Sequence, residues 1–115
     1  MKIFNHVQIK VKDLGRSRKF YGPVMAALGY KMVLEIEGIV IGYGTSAHDM
    51  FEIRQFDKKS PLSEHVHLAF NASCKEDVDA FYKSALAFKV NHVLSKDTFL
   101  FLARTFLCSR RAVNI

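Results

Sequence analysis

The chain has 115 residues, of which 50% are hydrophobic and 24% are charged. This length and composition predict one globular domain with a sizeable core, and they exclude a disordered protein. No apolar segment is long enough to span a membrane or to serve as a leader, so we expect neither a membrane span nor a signal peptide. The two cysteines form no disulfide framework or zinc pattern, which favours a reducing, cytoplasmic location.

The net charge of +6 is concentrated at one end of the chain. Residues 1–88 carry 12 basic and 10 acidic side chains, whereas residues 89–115 carry five basic side chains and one acidic side chain. A nucleic-acid surface needs basic residues along one face, interleaved with exposed aromatic residues. The charge distribution therefore predicts no binding to nucleic acid.

The first 29 residues predict a strand followed by a helix. Apolar and polar residues alternate from Ile3 to Val11, which is typical of a strand with one buried face. Asp13 is placed to cap a helix that runs to about Leu28, where Gly29 ends it. The apolar stripe of this helix is Phe20, Val24 and Leu28, and Pro23 lies in its interior.

Three short strands are predicted after this helix, and they complete a strand–helix–strand–strand–strand unit, βαβββ. Such a unit forms a mixed sheet with a helix on one side and a concave face on the other. A polar stretch with one proline, residues 57–64, then links this first module, about 1–56, to a second module, about 65–115. The predicted strands are Lys31–Glu37, Ile39–Tyr43 and Met50–Gln55, with turns at Gly38 and Gly44–Ala47.

The second module repeats the first at a constant offset of 61 residues. The stretch "HVQIKVKDLGRSRKFY" (6–21) aligns with "HLAFNASCKEDVDAFY" (67–82), so that His6 matches His67 and Phe20 matches Phe81. A second helix is predicted from a cap at Ser73, with Glu76 three residues further on as in a capping box. The side chains predicted to face the core from this helix are Val78, Phe81, Tyr82 and Ala85.

The repeat becomes atypical from about Phe88. The tail contains neither glycine nor proline, although three short strands need tight turns. Its stretch "FLFLARTFL" (99–107) suits a buried strand or a helix equally well. An altered reading frame or a divergent truncation would produce such a change, and sequencing of the gene beside those of close relatives would test this hypothesis.

Two segments resemble the vicinal oxygen chelate superfamily, the group of glyoxalases, bleomycin-resistance proteins and extradiol dioxygenases. The stretch "NHVQIKVKDLGRSRKFYGPVMAALGY" is similar to the group's opening strand and helix, and "VHLAFNASCKEDVDAFYKSAL" is similar to the opening of its second module. The resemblance covers residues 3 to about 87. It implies an α+β fold in which two βαβββ modules form a mixed-sheet cleft, with the second module incomplete or divergent.

The resemblance also implies a metal site at the floor of the cleft. His6 and His67 correspond to first-strand ligands of a divalent ion, and Glu52 in "DMFEIRQ" is the candidate third ligand. Two imidazoles and a carboxylate suit zinc, nickel, manganese or iron with open coordination positions. Alternatively, these side chains are solvated or hydrogen-bonded surface groups. The family's last-strand glutamate is missing, because the repeat places Val113 there.

Other residues near this site have weaker assignments. Gln8 and Lys10 share the face of His6, and we expect them to line the pocket. His65 precedes the repeated strand and is expected near the rim of the cleft. The sequence assigns no role to His48, and Tyr21 is expected to pack against the sheet.

Two functions follow from the resemblance, and the sequence leaves both open. The first is a divalent-metal-dependent enzyme of lyase, isomerase or dioxygenase type that acts on a small oxygenated molecule. The second is a metal-free protein that binds or sequesters a small molecule, as bleomycin-resistance proteins do; a degraded paralogue without activity is a third. We expect a homodimer, because the tail carries many apolar side chains: Phe99, Leu100, Phe101, Leu102, Phe106 and Leu107.

Overall fold

A computed structural model describes residues 3–59, 62–63, 66, 68–91 and 112–114, with the backbone alone at 89–91 and 112–114. The first module contains one helix and four strands, and the described part of the second contains one helix and two strands. These elements are β1 (His6–Val11), α1 (Leu14–Ala27), β2 (Lys31–Ile36), β3 (Val40–Ser46), β4 (Asp49–Gln55), β5 (Ala69–Asn71), α2 (Lys75–Asn91) and β6 (Ala112–Asn114).

The first module forms a four-stranded mixed sheet in the order β1-β4-β3-β2. β1 pairs with β4 in parallel, because α1 carries the chain across the sheet, and the remaining pairs are antiparallel. The predicted βαβββ module and the α+β class are confirmed. β3 is longer than expected because Gly44 lies within it rather than in a turn: a side chain there would overlap the backbone of Asp49.

The ends of α1 follow the predicted signals. The Asp13 carboxylate accepts a hydrogen bond of 3.0 Å from the Arg16 backbone N–H, which caps the first turn. Gln55, at the end of β4, accepts a 2.8 Å bond from the Leu14 N–H and so ties the helix start to the sheet. Gly29 has a φ of 87°, which a glycine adopts without strain, and the chain turns there into β2.

The hydrophobic core lies between one face of the sheet and the two helices. α2 packs on α1, and the rings of Phe20 and Phe88 meet edge to face with centroids 5.2 Å apart. Phe81 and Ala85 are fully buried, as predicted for α2. The buried core residues of the first module are Leu14, Phe20, Val24, Met25, Leu28, Ile41, Tyr43, Phe51 and Ile53.

The second module departs from the first in two respects. α2 begins at Lys75, and its first backbone bond runs from Val78 N–H to the Cys74 carbonyl, so the cap is Cys74 and not Ser73. β6 pairs with β5 antiparallel, with Val113 opposite Phe70, whereas β4 pairs with β1 in parallel. Predictions on His65, His67 and residues 99–107 lie outside the described residues.

Candidate functional site

The sheet has one face that points away from α1, which we call the open face. Strand alternation and the pairing register place His6, Gln8 and Lys10 beside Met50, Glu52 and Arg54 on this face. The opposite residues of the same strands, Phe51 and Ile53, belong to the core. Met50, Glu52 and Arg54 therefore share the open face with the polar side chains of β1. β3 and β2 contribute Val40, Gly42, Gly44, Leu34 and Ile36 to the open face.

Glu52 is the buried charged side chain of this face, with 5% of its surface exposed. Its Oε1 accepts a 2.9 Å hydrogen bond from the side-chain amide nitrogen of Gln8. The side-chain oxygen of Gln8 in turn accepts a hydrogen bond from the Lys10 ammonium. The amide of Gln8 is thus oriented by a negative group on one side and a positive group on the other. This Lys10–Gln8–Glu52 chain satisfies a buried carboxylate, which is otherwise costly in free energy.

Lys10 and Arg54 form a cationic end of the open face. They are direct register partners on β1 and β4, and both are half-buried. Within the part of the chain that is described, neither has a carboxylate at ion-pair distance; the Arg18–Glu35 pair, at 3.3 Å, involves other residues. Adjacent like charges repel each other, so this end of the face favours an anion.

An apolar wall borders Glu52 on the side away from β1. Gly42 is the register partner of both Glu52 and Leu34. A Cβ atom on Gly42 would come within 2.7 Å of the Met50 sulfur, 3.1 Å of the Leu34 Cβ and 3.6 Å of the Glu52 Cγ. Met50 therefore covers the glycine, and the face changes from polar at β1 to apolar at β3 and β2.

His6 lies at the opposite end of β1 from Lys10 and is exposed. Its Nδ1 is 3.0 Å from the Asn5 Oδ1, and the Asn5 amide nitrogen is 3.1 Å from Nδ1 of His48. Because Oδ1 can only accept, this hydrogen bond assigns the proton of the His6 ring to Nδ1. Nε2 is then the unprotonated nitrogen, which can act as an acceptor or a metal ligand. Sequence reasoning missed the place of His48 in this cluster, since nothing in its loop indicated a partner 43 residues away.

The tyrosines near the sheet serve the core rather than the open face. Tyr21 packs between Phe20 and Phe51, with ring centroids 5.0 and 5.3 Å away, and burial raises the pKa of its phenol well above the ordinary value. The Tyr43 hydroxyl is buried without a hydrogen-bond partner among the described residues. Desolvation raises the pKa of Tyr43 as well.

The predicted metal ligands are only partly placed. His6 and Glu52 lie on the same face, with Glu52 two residues beyond the register partner of His6, whereas His67 is outside the described residues. Within the described ranges, no three His, Cys, Asp or Glu side chains form a group that could hold a metal ion. The imidazole of His6 and the carboxylate of Glu52 are ligand types that suit a divalent ion. However, one oxygen of Glu52 already accepts a hydrogen bond from Gln8.

Comparison with known proteins places this geometry in a family. The model of the Glyoxalase/Bleomycin resistance protein/Dioxygenase superfamily matches residues 3–107, well beyond Phe88, where the internal repeat becomes atypical. The fold is similar to the crystal structure of a glyoxalase/bleomycin resistance protein from Albidiferax ferrireducens T118, with 28% identity and a TM-score of 0.64. The similarity covers 75% of this chain and 69% of that one.

A search of the curated proteins found no significant match. In the described part of the chain, no helix has both the length and the apolar character needed to cross a membrane. The βαβββ module, the open face and the match over residues 3–107 lead to one conclusion: the chain belongs to the glyoxalase/bleomycin resistance protein/dioxygenase superfamily.

Proposed function

We propose that the protein binds a small molecule on the open face of its sheet without requiring a divalent metal ion. The observation that carries this proposal is the Lys10–Gln8–Glu52 chain. A carboxylate that serves as a metal ligand is balanced by the ion itself. Here the charge of Glu52 is balanced by the chain's own lysine through an amide, so the buried carboxylate is satisfied without an ion.

The surrounding charges further support this proposal. Lys10 and Arg54 are neighbours on the open face, and both are positive. A divalent cation placed at Glu52 would be repelled by both, by about 1 kcal/mol or more for each charge at short range even in a high-dielectric setting. The sequence repeat aligns Val113, and not a second carboxylate, with Glu52, so the sequence offers no further acidic group at that position to offset this repulsion.

A metal-dependent enzyme of lyase, isomerase or dioxygenase type is the second candidate. It is favoured by His6, whose Nδ1 is held by Asn5 so that Nε2 remains available as a donor, as in metal sites where a second group orients the histidine. His6, Glu52 and His67 would hold the ion. A divalent ion there would polarise an oxygen of the substrate.

Metal analysis distinguishes the two candidates. The protein is purified without a histidine tag, analysed for bound metal, and titrated with zinc, nickel and manganese by calorimetry. We expect far less than one ion per chain and weak binding. One tightly bound ion per chain that is lost in the His6→Ala, His67→Ala double variant, but retained in the surface control Glu37→Gln, would instead establish the metal-dependent function.

We further propose that the protein is a cytoplasmic homodimer. Support for an interface comes from apolar side chains that are exposed near the N-terminus and around the β2–β3 turn. Ile3 and Phe4 are 90% and 66% exposed, and Ile36 and Ile39 are 48% and 43% exposed. β2 is also an edge strand of the sheet. Sedimentation velocity at micromolar concentration tests this proposal, and a monomer would contradict it.

A further inference from the structure

The charged side chains of the open face have an arrangement that selects among small molecules. Lys10 and Arg54 lie side by side in one row, and Glu52 lies in the next row, joined to Lys10 through Gln8. These three charges sum to a single positive charge. A simple anion is attracted by the two cations but repelled by Glu52, and a simple cation meets the opposite problem.

The Lys10 ammonium and the Glu52 carboxylate can each form further hydrogen bonds. The Lys10 ammonium has three N–H donors, of which Gln8 uses one. Glu52 uses one oxygen to accept from Gln8, and within the described residues its second oxygen has no partner. The Lys10–Gln8–Glu52 chain therefore offers donors at one end and an acceptor at the other.

The distance between these two ends is set by the Gln8 amide. Two hydrogen bonds and the width of an amide separate the Lys10 nitrogen from the Glu52 carboxylate by about 7 Å. The apolar wall, formed by Met50 and Leu34 over Gly42, lies beside Glu52 on the side of the edge strand β2. A ligand that fits has an apolar body along this wall.

We infer that the open face recognises a small monoanion that carries a hydrogen-bond donor at the other end of an apolar body. The carboxylate or other anionic oxygen binds between Lys10 and Arg54, and the donor, a hydroxyl group, binds the second oxygen of Glu52. Gln8 is the residue that sets the spacing, because its amide holds the two charged side chains apart. The inference rests on the proposed metal-free binding function and names the ligand class for it.

Three matched compounds test the inference in the presence of a metal chelator. 4-Hydroxyphenylacetate has a phenol and a carboxylate at opposite ends of a benzene ring, phenylacetate lacks the donor, and 4-hydroxyphenylacetamide lacks the anion. We expect the first to bind at least tenfold more tightly than either of the others, because each lost partner leaves a polar group of the site unpaired. Binding is measured by calorimetry and NMR titration at millimolar concentration.

Variants assign the effect to the named residues. Lys10→Met is expected to weaken 4-hydroxyphenylacetate about tenfold and to leave the neutral amide unchanged, since only the anion contact is removed. Glu52→Gln is expected to reduce the preference for the hydroxyl-bearing acid over phenylacetate. Lys12→Met is the matched control: it removes the same charge from an exposed residue just beyond β1 and should change no affinity by more than about twofold.

The outcomes separate this inference from the function on which it rests. Equal binding of all three compounds under chelation would overturn the ligand class while supporting metal-free binding. Binding that occurs only after zinc is added would overturn both. Binding of none of the three, with or without zinc, or an equal effect of Lys10→Met and Lys12→Met, would also overturn the ligand class.

Discussion

Replacing Gln8 by methionine removes the amide that joins Glu52 to Lys10 while keeping a side chain of similar length. Glu52 is 5% exposed and its carboxylate loses the 2.9 Å hydrogen bond from Gln8, so a buried charge is left without that donor. Losing a hydrogen bond to a buried charged group costs about 1.5–3 kcal/mol of folding free energy. We expect Gln8→Met to lower the free energy of unfolding by that amount at neutral pH.

A double-mutant cycle shows whether the loss comes from the orphaned carboxylate. In Gln8→Met, Glu52→Met both partners are apolar, and replacing both members of a pair is often nearly neutral. The double variant should therefore be more stable than Gln8→Met alone. The assay is urea unfolding followed by circular dichroism, with linear extrapolation and comparison of the m values. If the two single losses simply add, Glu52 and Gln8 act independently, and the reasoning about the chain of hydrogen bonds is wrong.

Three further predictions concern packing and pH. Gly42→Ala places a methyl group 3.1 Å from the Leu34 Cβ and should lower the free energy of unfolding by about 1–3 kcal/mol; unchanged stability in urea would contradict the close packing. Phe81→Ala should cost about 3–5 kcal/mol, whereas Leu62→Ala, at an exposed position in the linker, should stay within about 0.5 kcal/mol; similar losses would refute the assignment of the core. Burial raises the pKa of Tyr21, so the contribution of its neutral phenol to stability is present below the ordinary tyrosine pKa of about 10 and is lost as the pH rises above it. Melting temperatures from pH 8 to 11 should therefore fall less in Tyr21→Phe than in the wild-type protein, and parallel curves would contradict this.

Local signals in the sequence predicted the first module well. The alternation in β1 is physical: apolar side chains meet the core, and polar ones face the open side. Gly38 has a φ of 72° at the predicted turn, because the tight β2–β3 connection needs a residue that tolerates positive φ. The 61-residue repeat also placed Phe20 and Phe81 correctly, since both are buried between the helices.

Contacts between distant residues were beyond the reach of sequence patterns. The Ser63 hydroxyl, in the linker, accepts a 2.8 Å hydrogen bond from the Lys10 backbone N–H, so Ser63 lies beside β1. The Asn5–His48 contact and the antiparallel direction of β6 likewise depend on tertiary placement. Periodicity reports which face a residue occupies, and it carries no information on which polar side chain meets another across the sheet.

The metal hypothesis illustrates the same limit. Comparison of the two modules pairs His6 with His67, and the family resemblance implies Glu52, in the last strand of the first module, as a third ligand. The structure adds what no spacing could show, that Glu52 is bonded to Gln8 and, through it, to Lys10. The assignment of His6, Glu52 and His67 as ligands stays a prediction.

The open face of the sheet is proposed to bind its ligand without a metal ion. NMR mapping of backbone amides during titration with 4-hydroxyphenylacetate, in the presence of a chelator, tests this proposal most directly. We predict shifts concentrated at Gln8, Lys10, Glu52 and Arg54, with the outer surface of α1 unchanged. Shifts confined to the helices, or shifts at the open face that arise only after zinc is added, would contradict the claim.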